Sequence, residues 1–136
     1  MGLDYDHGTG HGVGSFLGVH EGPQRISKSA NDVALKPGMI ISNEPGYYKT
    51  GAFGIRLENL VVVIREEMLK DSNRPFLAFD TLTVVPFDRK LIVTDLLSPH
   101  ERDWVNAYHR RVWQCLESKV GADTRGWLEE ATQPLA

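Results

Sequence analysis

Apolar and polar positions divide this chain into two stretches with different periods. From Met39 to Val85 the apolar residues come in short runs punctuated by proline and glycine, as in strands. From Ser98 onward they recur at helical spacing. Met39 to Ser42 reads as a short strand stopped by Pro45-Gly46. Ile55 to Arg65 is the strongest strand. Its alternation puts Ile55, Leu57 and Asn59 on one face and Arg56, Glu58 and Leu60 on the other. The run Val61-Val62-Val63-Ile64 then suits a sheet buried on both faces. Phe76 to Val85, bounded by Pro75 and Pro86, is a third strand. Ser98-Pro99-His100-Glu101 spells a capping box with proline at the first helical position. Trp104, Tyr108, Val112 and Leu116 follow at every fourth residue. Gly121 is placed to stop that helix, and Asp123 to cap a final short one carrying Trp127 and Leu128. Strands first and helices last predict an α+β fold in which a helix covers one sheet face.

The remaining segment, residues 1–38, has a different character. Seven of the 13 glycines and three of the five histidines lie in residues 1–22. Residues 7–14 read His-Gly-Thr-Gly-His-Gly-Val-Gly, and each glycine in a helix costs about 1 kcal/mol relative to alanine. An extended or looped segment is therefore predicted, and His7 and His11 are not a helical i, i+4 pair. Residues 15–20 suit a short strand or turn, Glu21-Gly22-Pro23 a turn, residues 24–35 a polar loop, and Lys36-Pro37-Gly38 another turn.

Composition narrows the function. At 136 residues, with 41% hydrophobic and 24% charged residues, the chain is ordinary globular material for one domain. Fifteen basic against 18 acidic residues give a net charge of −3, which argues against nucleic-acid binding. The longest apolar run, Leu60 to Ile64, is far short of the roughly 20 residues a membrane helix needs. The opening residues carry no apolar signal core, and the lone Cys115 suits a reducing compartment; both point to a cytoplasmic location.

The glycine spacing Gly8-x-Gly10-x-Gly12-x-Gly14 fits neither a dinucleotide fingerprint nor a P-loop, and no H-E-x-x-H zinc motif is present. Glu44 sits between an apolar strand and the Pro45-Gly46 turn, and Glu58 sits inside the most apolar strand. A carboxylate in a buried strand needs a counter-charge, hydrogen bonds or a metal. For Glu58, an ion pair with Arg56 competes evenly with a functional role. For Glu44, a solvated strand end does the same. Three histidines among seven glycines shift the balance toward chemistry.

Four blocks then occur in order: His7-Gly-Thr-Gly-His11-Gly-Val-Gly, Val19-His20-Glu21-Gly22-Pro23, Asn43-Glu44-Pro45-Gly46-Tyr47-Tyr48 and Ile55-Arg56-Leu57-Glu58-Asn59. Each alone is weak; together they resemble the C-terminal half of the catalytic domain of cytosolic-type Xaa-Pro aminopeptidases (aminopeptidase P). Prolidase, methionine aminopeptidase and creatinase are relatives. The tail from Asp80 through Ala131 also resembles the end of that family. The resemblance implies part of a pita-bread (creatinase/aminopeptidase) fold, with an antiparallel-rich sheet and C-terminal helices. Residues 1–136 would be the C-terminal portion of a single M24-type catalytic domain, truncated on its N-terminal side.

The resemblance also implies chemistry. The family holds two divalent metals through two aspartates, a histidine and two glutamates. Three of these match here: His11, Glu44 and the bridging Glu58. Manganese is implied first, with zinc or cobalt as alternatives. The paired ions supply an activated water and polarise the scissile carbonyl of a peptide with proline in second position. Glu44 and His20 match catalytic groups; His7, His20, Arg56 and Tyr48 match groups that line or orient the substrate. The two aspartates lie upstream in the family, and Asp4 and Asp6 do not occupy their positions. The isolated chain is therefore expected to be inactive. Half a sheet leaves an open edge, so a homodimer is expected. A non-catalytic self-associating module and a prolidase-like dipeptidase are the competing readings.

Overall fold

The computed structural model describes residues 3–66 and 74–136. They fall into two compact units that divide after Thr83. In the first, seven strands form two antiparallel sheets. The larger takes β1 (Gly10–Val13), β2 (Arg25–Ile26), β3 (Ile40–Asn43), β6 (Asn59–Glu66) and β7 (Phe76–Thr81), in the order β2-β1-β3-β6-β7. The smaller is the hairpin of β4 (Gly46–Lys49) and β5 (Phe53–Arg56).

The strand expected over Ile55–Arg65 is two strands in two sheets. The chain leaves β5 after Arg56, the Leu57 N–H donates to the Pro45 carbonyl at 3.1 Å, and β6 begins at Asn59. Leu57 and Glu58 lie in the break, and Glu58 is exposed rather than buried in a strand. Nor is the valine run buried on both faces. Val61 and Val63 face the core with Ile41, while Ile64 on the other face is 39% exposed. The short strand read over Met39–Ser42 is β3, which ends at Asn43 ahead of Pro45 as the turn signal implied; Gly46 then opens the separate strand β4. The polar loop 24–35 contributes the two residues of β2, and the strand from Phe76 stops at Thr81 rather than Val85. Residues 15–20 form turns and bends, not a strand.

Close approach of β1 to β3 depends on glycine. A Cβ on Gly10 would lie 1.8 Å from the Ser42 carbonyl oxygen, so no side chain fits there. This contact brings His11, one residue on, beside the end of β3.

The second unit, Val84–Ala136, holds two short 3-10 turns and helices α1 (Pro99–Leu116) and α2 (Ala122–Ala131). The capping box is present in full: Ser98 Oγ accepts from the Glu101 N–H, and the Glu101 carboxylate accepts from the Ser98 N–H. Tyr108, Val112 and Leu128 form its core, with Phe87, Trp113 and Leu116 packed against them. Gly121 does not stop α1. The helix ends at Leu116 and turns through Glu117–Lys119, and Gly121, with φ −67° and ψ 165°, is instead the N-cap of α2. Asp123 lies within the first turn of α2 and is not its cap; it favours the helix through the dipole. The architecture is α+β and antiparallel throughout, as the resemblance implied.

Candidate functional site

His11 and Glu44 meet at the centre of the first unit. His11 Nδ1 lies 2.9 Å from the Gly12 carbonyl oxygen, and only a protonated nitrogen can bond there. In the neutral ring the Nε2 lone pair then points outward, 3.2 Å from Glu44 Oε1. Two electron-pair donors face each other, which calls for a shared proton or a cation between them. This tautomer, fixed by a backbone carbonyl, is the one metal-binding histidines commonly use.

The pair is held by Ser42. Its hydroxyl accepts from the His11 N–H at 2.9 Å and donates to Glu44 Oε1 at 2.9 Å. Ser42 and Glu44 are two residues apart at the end of β3, so they project to one side. The sequence reading placed Ser42 in a strand without a role; its only signal was this i, i+2 spacing to Glu44.

Around this pair lies a cleft of about 380 Å³ lined by His7, His11, His20, Glu44, Tyr48 and Arg56, with Arg25 and Ser27 on its other wall. His20 packs edge-on against His11, ring centroids 4.5 Å apart. The loop before it is clamped by Glu21, whose carboxylate accepts from the Phe16 N–H at 2.9 Å and the Gly18 N–H at 3.0 Å. His7 Nδ1 donates to the Gly8 carbonyl at 2.7 Å, so its Nε2 accepts from the Tyr48 hydroxyl at 3.0 Å. The Tyr48 ring lies where side chains at Gly46 and Gly54 would be: a Cβ there would come within 2.5 Å and 2.8 Å of it.

Arg56 joins the two glutamates. Its Nε is 3.0 Å from Glu58 Oε2 and its guanidinium reaches Glu44 Oε2 at 3.8 Å. The Tyr48 hydroxyl first, then the Glu58 and Glu44 carboxylates, raise the pKa of this guanidinium above its ordinary value. Glu58 is thus tied to the cluster through Arg56, and the ion pair the sequence allowed for it is formed.

Among the described residues, no three His, Cys, Asp or Glu side chains converge as a metal cluster. Asp4 is bonded to Lys28 and to the Tyr5 N–H, which lower its pKa, and neither Asp4 nor Asp6 lines the cleft. His11 and Glu44 present one imidazole nitrogen and one carboxylate toward each other, donors that could hold a divalent ion.

Two family models cover nearly all of the chain: metallopeptidase family M24 matches residues 1–65, and the C-terminal region of peptidase M24 matches residues 75–135. A probable Xaa-Pro aminopeptidase P of Arthroderma otae is 51% identical over 98% of this chain, and one from Tuber melanosporum is 49% identical over 98%. The chain spans 22% of the length of each. It also resembles the crystal structure of X-prolyl aminopeptidase from Caenorhabditis elegans, described as a cytosolic enzyme with a di-nuclear active site. That likeness has a TM-score of 0.88 at 37% identity and covers 98% of this chain and 22% of that one. Its TM-score supports the pita-bread architecture read from the motifs. Sequence blocks, antiparallel fold and family models agree, and the chain belongs to metallopeptidase family M24.

Proposed function

We propose that the full-length protein carrying these residues is a metal-dependent aminopeptidase that releases the N-terminal residue from peptides with proline in second position. The observation that carries this reading is the facing pair of His11 Nε2 and Glu44 Oε1 at 3.2 Å, each pinned by backbone or by Ser42. His11, Glu44 and Glu58 would hold two divalent ions together with ligands from outside these 136 residues. When bound, such ions supply an activated water and polarise the scissile carbonyl. The one nitrogen and several oxygen donors favour manganese, with zinc or cobalt able to substitute.

The chain's own groups have separable tasks. Glu44 Oε2, which Arg56 reaches at 3.8 Å, is the oxygen proposed to take a proton and pass it to the departing amine. His20, whose ring packs edge-on against His11, would donate to the oxygen that gains charge as the peptide carbonyl is attacked. His7 and Tyr48 form a wall, and Arg56 orients the glutamates.

The location is proposed to be cytoplasmic. The relative described as cytosolic supports this, and among the described residues no helix is long and apolar enough to cross a membrane. A homodimer is proposed from the open sheet edges. His11, Glu44 and Glu58 match three of the five ligands the resemblance implies, so the 136-residue chain is further proposed to be inactive alone.

The test is hydrolysis of a Xaa-Pro-Xaa tripeptide by the full-length protein, with Mn²⁺ and with a chelator. Chelator-sensitive release of the first residue is expected, and Glu44→Gln should lower kcat by about 10²–10⁴. An equal rate with alanine in place of proline would overturn the specificity. Turnover restricted to Xaa-Pro dipeptides would favour the dipeptidase. No turnover by the metal-loaded protein would overturn the activity.

A further inference from the structure

The cleft has a second wall that the hydrolytic reading does not use. Strand β2 pairs with β1 so that Arg25 lies directly across from His11. Directly paired residues in antiparallel strands share a face, with Cβ atoms about 4.5–5.5 Å apart. Arg25 therefore stands on the same side of the sheet as His11. Ser27, two residues on, follows it along that wall, and both line the cleft.

The donors on this wall are largely uncommitted. The Arg25 guanidinium gives one N–H to the Ala30 carbonyl at 2.7 Å, which fixes the head of the side chain. Among the described residues, the ion pairs found include no acidic partner for Arg25. Arg56, the other guanidinium in the cleft, is already paired with Glu58 and Glu44. Ser27 Oγ accepts from the Ser29 N–H at 3.2 Å, so its own proton is free to be donated outward. A planar fork of N–H donors beside a hydroxyl is suited to a carboxylate, which it can hold through two parallel bonds.

The cleft volume of about 380 Å³ lies at the small end of the range for ligand pockets, which run from roughly 300 to 1,000 Å³. The strand register sets the length. Arg25 is paired with His11 across adjacent strands, so a carboxylate held at Arg25 stands only a residue or two of extended peptide, about 3.3–3.6 Å each, from the His11–Glu44 pair. We propose that Arg25 and Ser27 form a carboxylate subsite that binds the free C-terminus of a short peptide, making tripeptide-sized substrates the preferred class. This rests on the peptidase reading above and adds to it a determinant of substrate length. The terminal carboxylate is held at the Arg25 wall while the N-terminal end reaches the His11–Glu44 pair.

The experiment compares a Xaa-Pro-Xaa tripeptide with a free C-terminus against the same peptide as its C-terminal amide, using the full-length protein. The acid should be preferred by about 10- to 100-fold in kcat/KM, the span that charge-assisted hydrogen bonds cover. The difference should reside in KM, as for a contact equally strong before and during the reaction. In Arg25→Gln the acid-to-amide ratio should collapse toward one; Arg25→Lys, which keeps the charge but loses the fork, should fall between. Ser27→Ala, a smaller change to the wall, should reduce the ratio as well. A wild-type enzyme that hydrolyses acid and amide equally would overturn the subsite and leave the peptidase reading intact. So would an Arg25→Gln enzyme that keeps the preference. Absence of all Xaa-Pro hydrolysis by the wild type would overturn both.

Discussion

The Ser42 hydroxyl carries two hydrogen bonds at 1% exposure, one to the strand that bears His11 and one to the Glu44 carboxylate. Its loss leaves an N–H and a carboxylate oxygen unsatisfied in a partly closed place, which costs about 1–3 kcal/mol. Ser42→Ala should therefore lower the stability of the chain by that amount in urea denaturation. It should also weaken Mn²⁺ binding by the full-length protein about 10- to 100-fold, the usual effect of losing a group that orients a ligand. Ser42→Thr retains the hydroxyl and should recover most of both. An alanine variant as stable and as tight-binding as wild type would remove Ser42 from this role. Such a residue is hard to find in a sequence because a buried strand serine has no motif. His11 and Glu44 were singled out through the four ordered blocks and the resemblance they carry, and the fold brings the two side chains together. Glu58 was expected inside a buried strand; the chain leaves that strand at Arg56, so the glutamate is exposed and ion-paired with Arg56, the pairing the sequence also allowed.

Among the elements, α1 was the most legible, because its start is written in local chemistry that the fold does not override. Serine, proline and glutamate at Ser98, Pro99 and Glu101 satisfy the end of the helix with their own atoms. Strand boundaries were less legible because they depend on partners far along the chain. Apolar alternation runs through Leu57, yet tertiary pairing sends β5 to β4 and β6 to β3 and β7. The helix also carries a group that no pattern singled out. His109 is fully buried, and its Nε2 accepts from the Phe87 N–H at 3.1 Å. That bond requires Nε2 to be unprotonated, so the neutral ring holds its proton on Nδ1, for which no partner is found among the described residues. Burial first, and the Arg89 charge second, hold the His109 pKa below the ordinary histidine value. The unfolded chain takes up a proton here as the pH falls through about 6.5, while the native ring does so only lower, so the unfolded state binds more protons in that window. The His109 contribution to stability is complete above about pH 6.5 and is lost as the pH falls below it. Urea denaturation at pH 7.5 and 5.5 should show wild type losing more stability on acidification than His109→Gln, whose amide can still accept from Phe87. Equal losses in the two proteins would rule out His109 as the source.

At the scale of the molecule, the larger sheet ends on β2 at one side and β7 at the other, and neither has a second strand partner among the described residues. β2 is two residues long and carries Arg25, features that blunt an edge. β7 is six residues long and without lysine, and Phe76, Leu77 and Phe79 stand 47%, 45% and 50% exposed on its two faces. Its row of backbone donors and acceptors, flanked by apolar side chains, is the arrangement that pairs with another chain. The 136-residue chain is therefore expected to self-associate through β7. Light scattering coupled to size exclusion at micromolar concentration should give a mass well above the monomer's 15.2 kDa. Phe79→Lys places a charge on that edge and should move the mass toward the monomer without unfolding the chain, because the side chain is half in solvent. A wild-type chain eluting as a monomer would show that β7 needs no partner. A Phe79→Lys chain of unchanged mass would place the contact elsewhere, with the blunt edge at β2 as the next surface to alter.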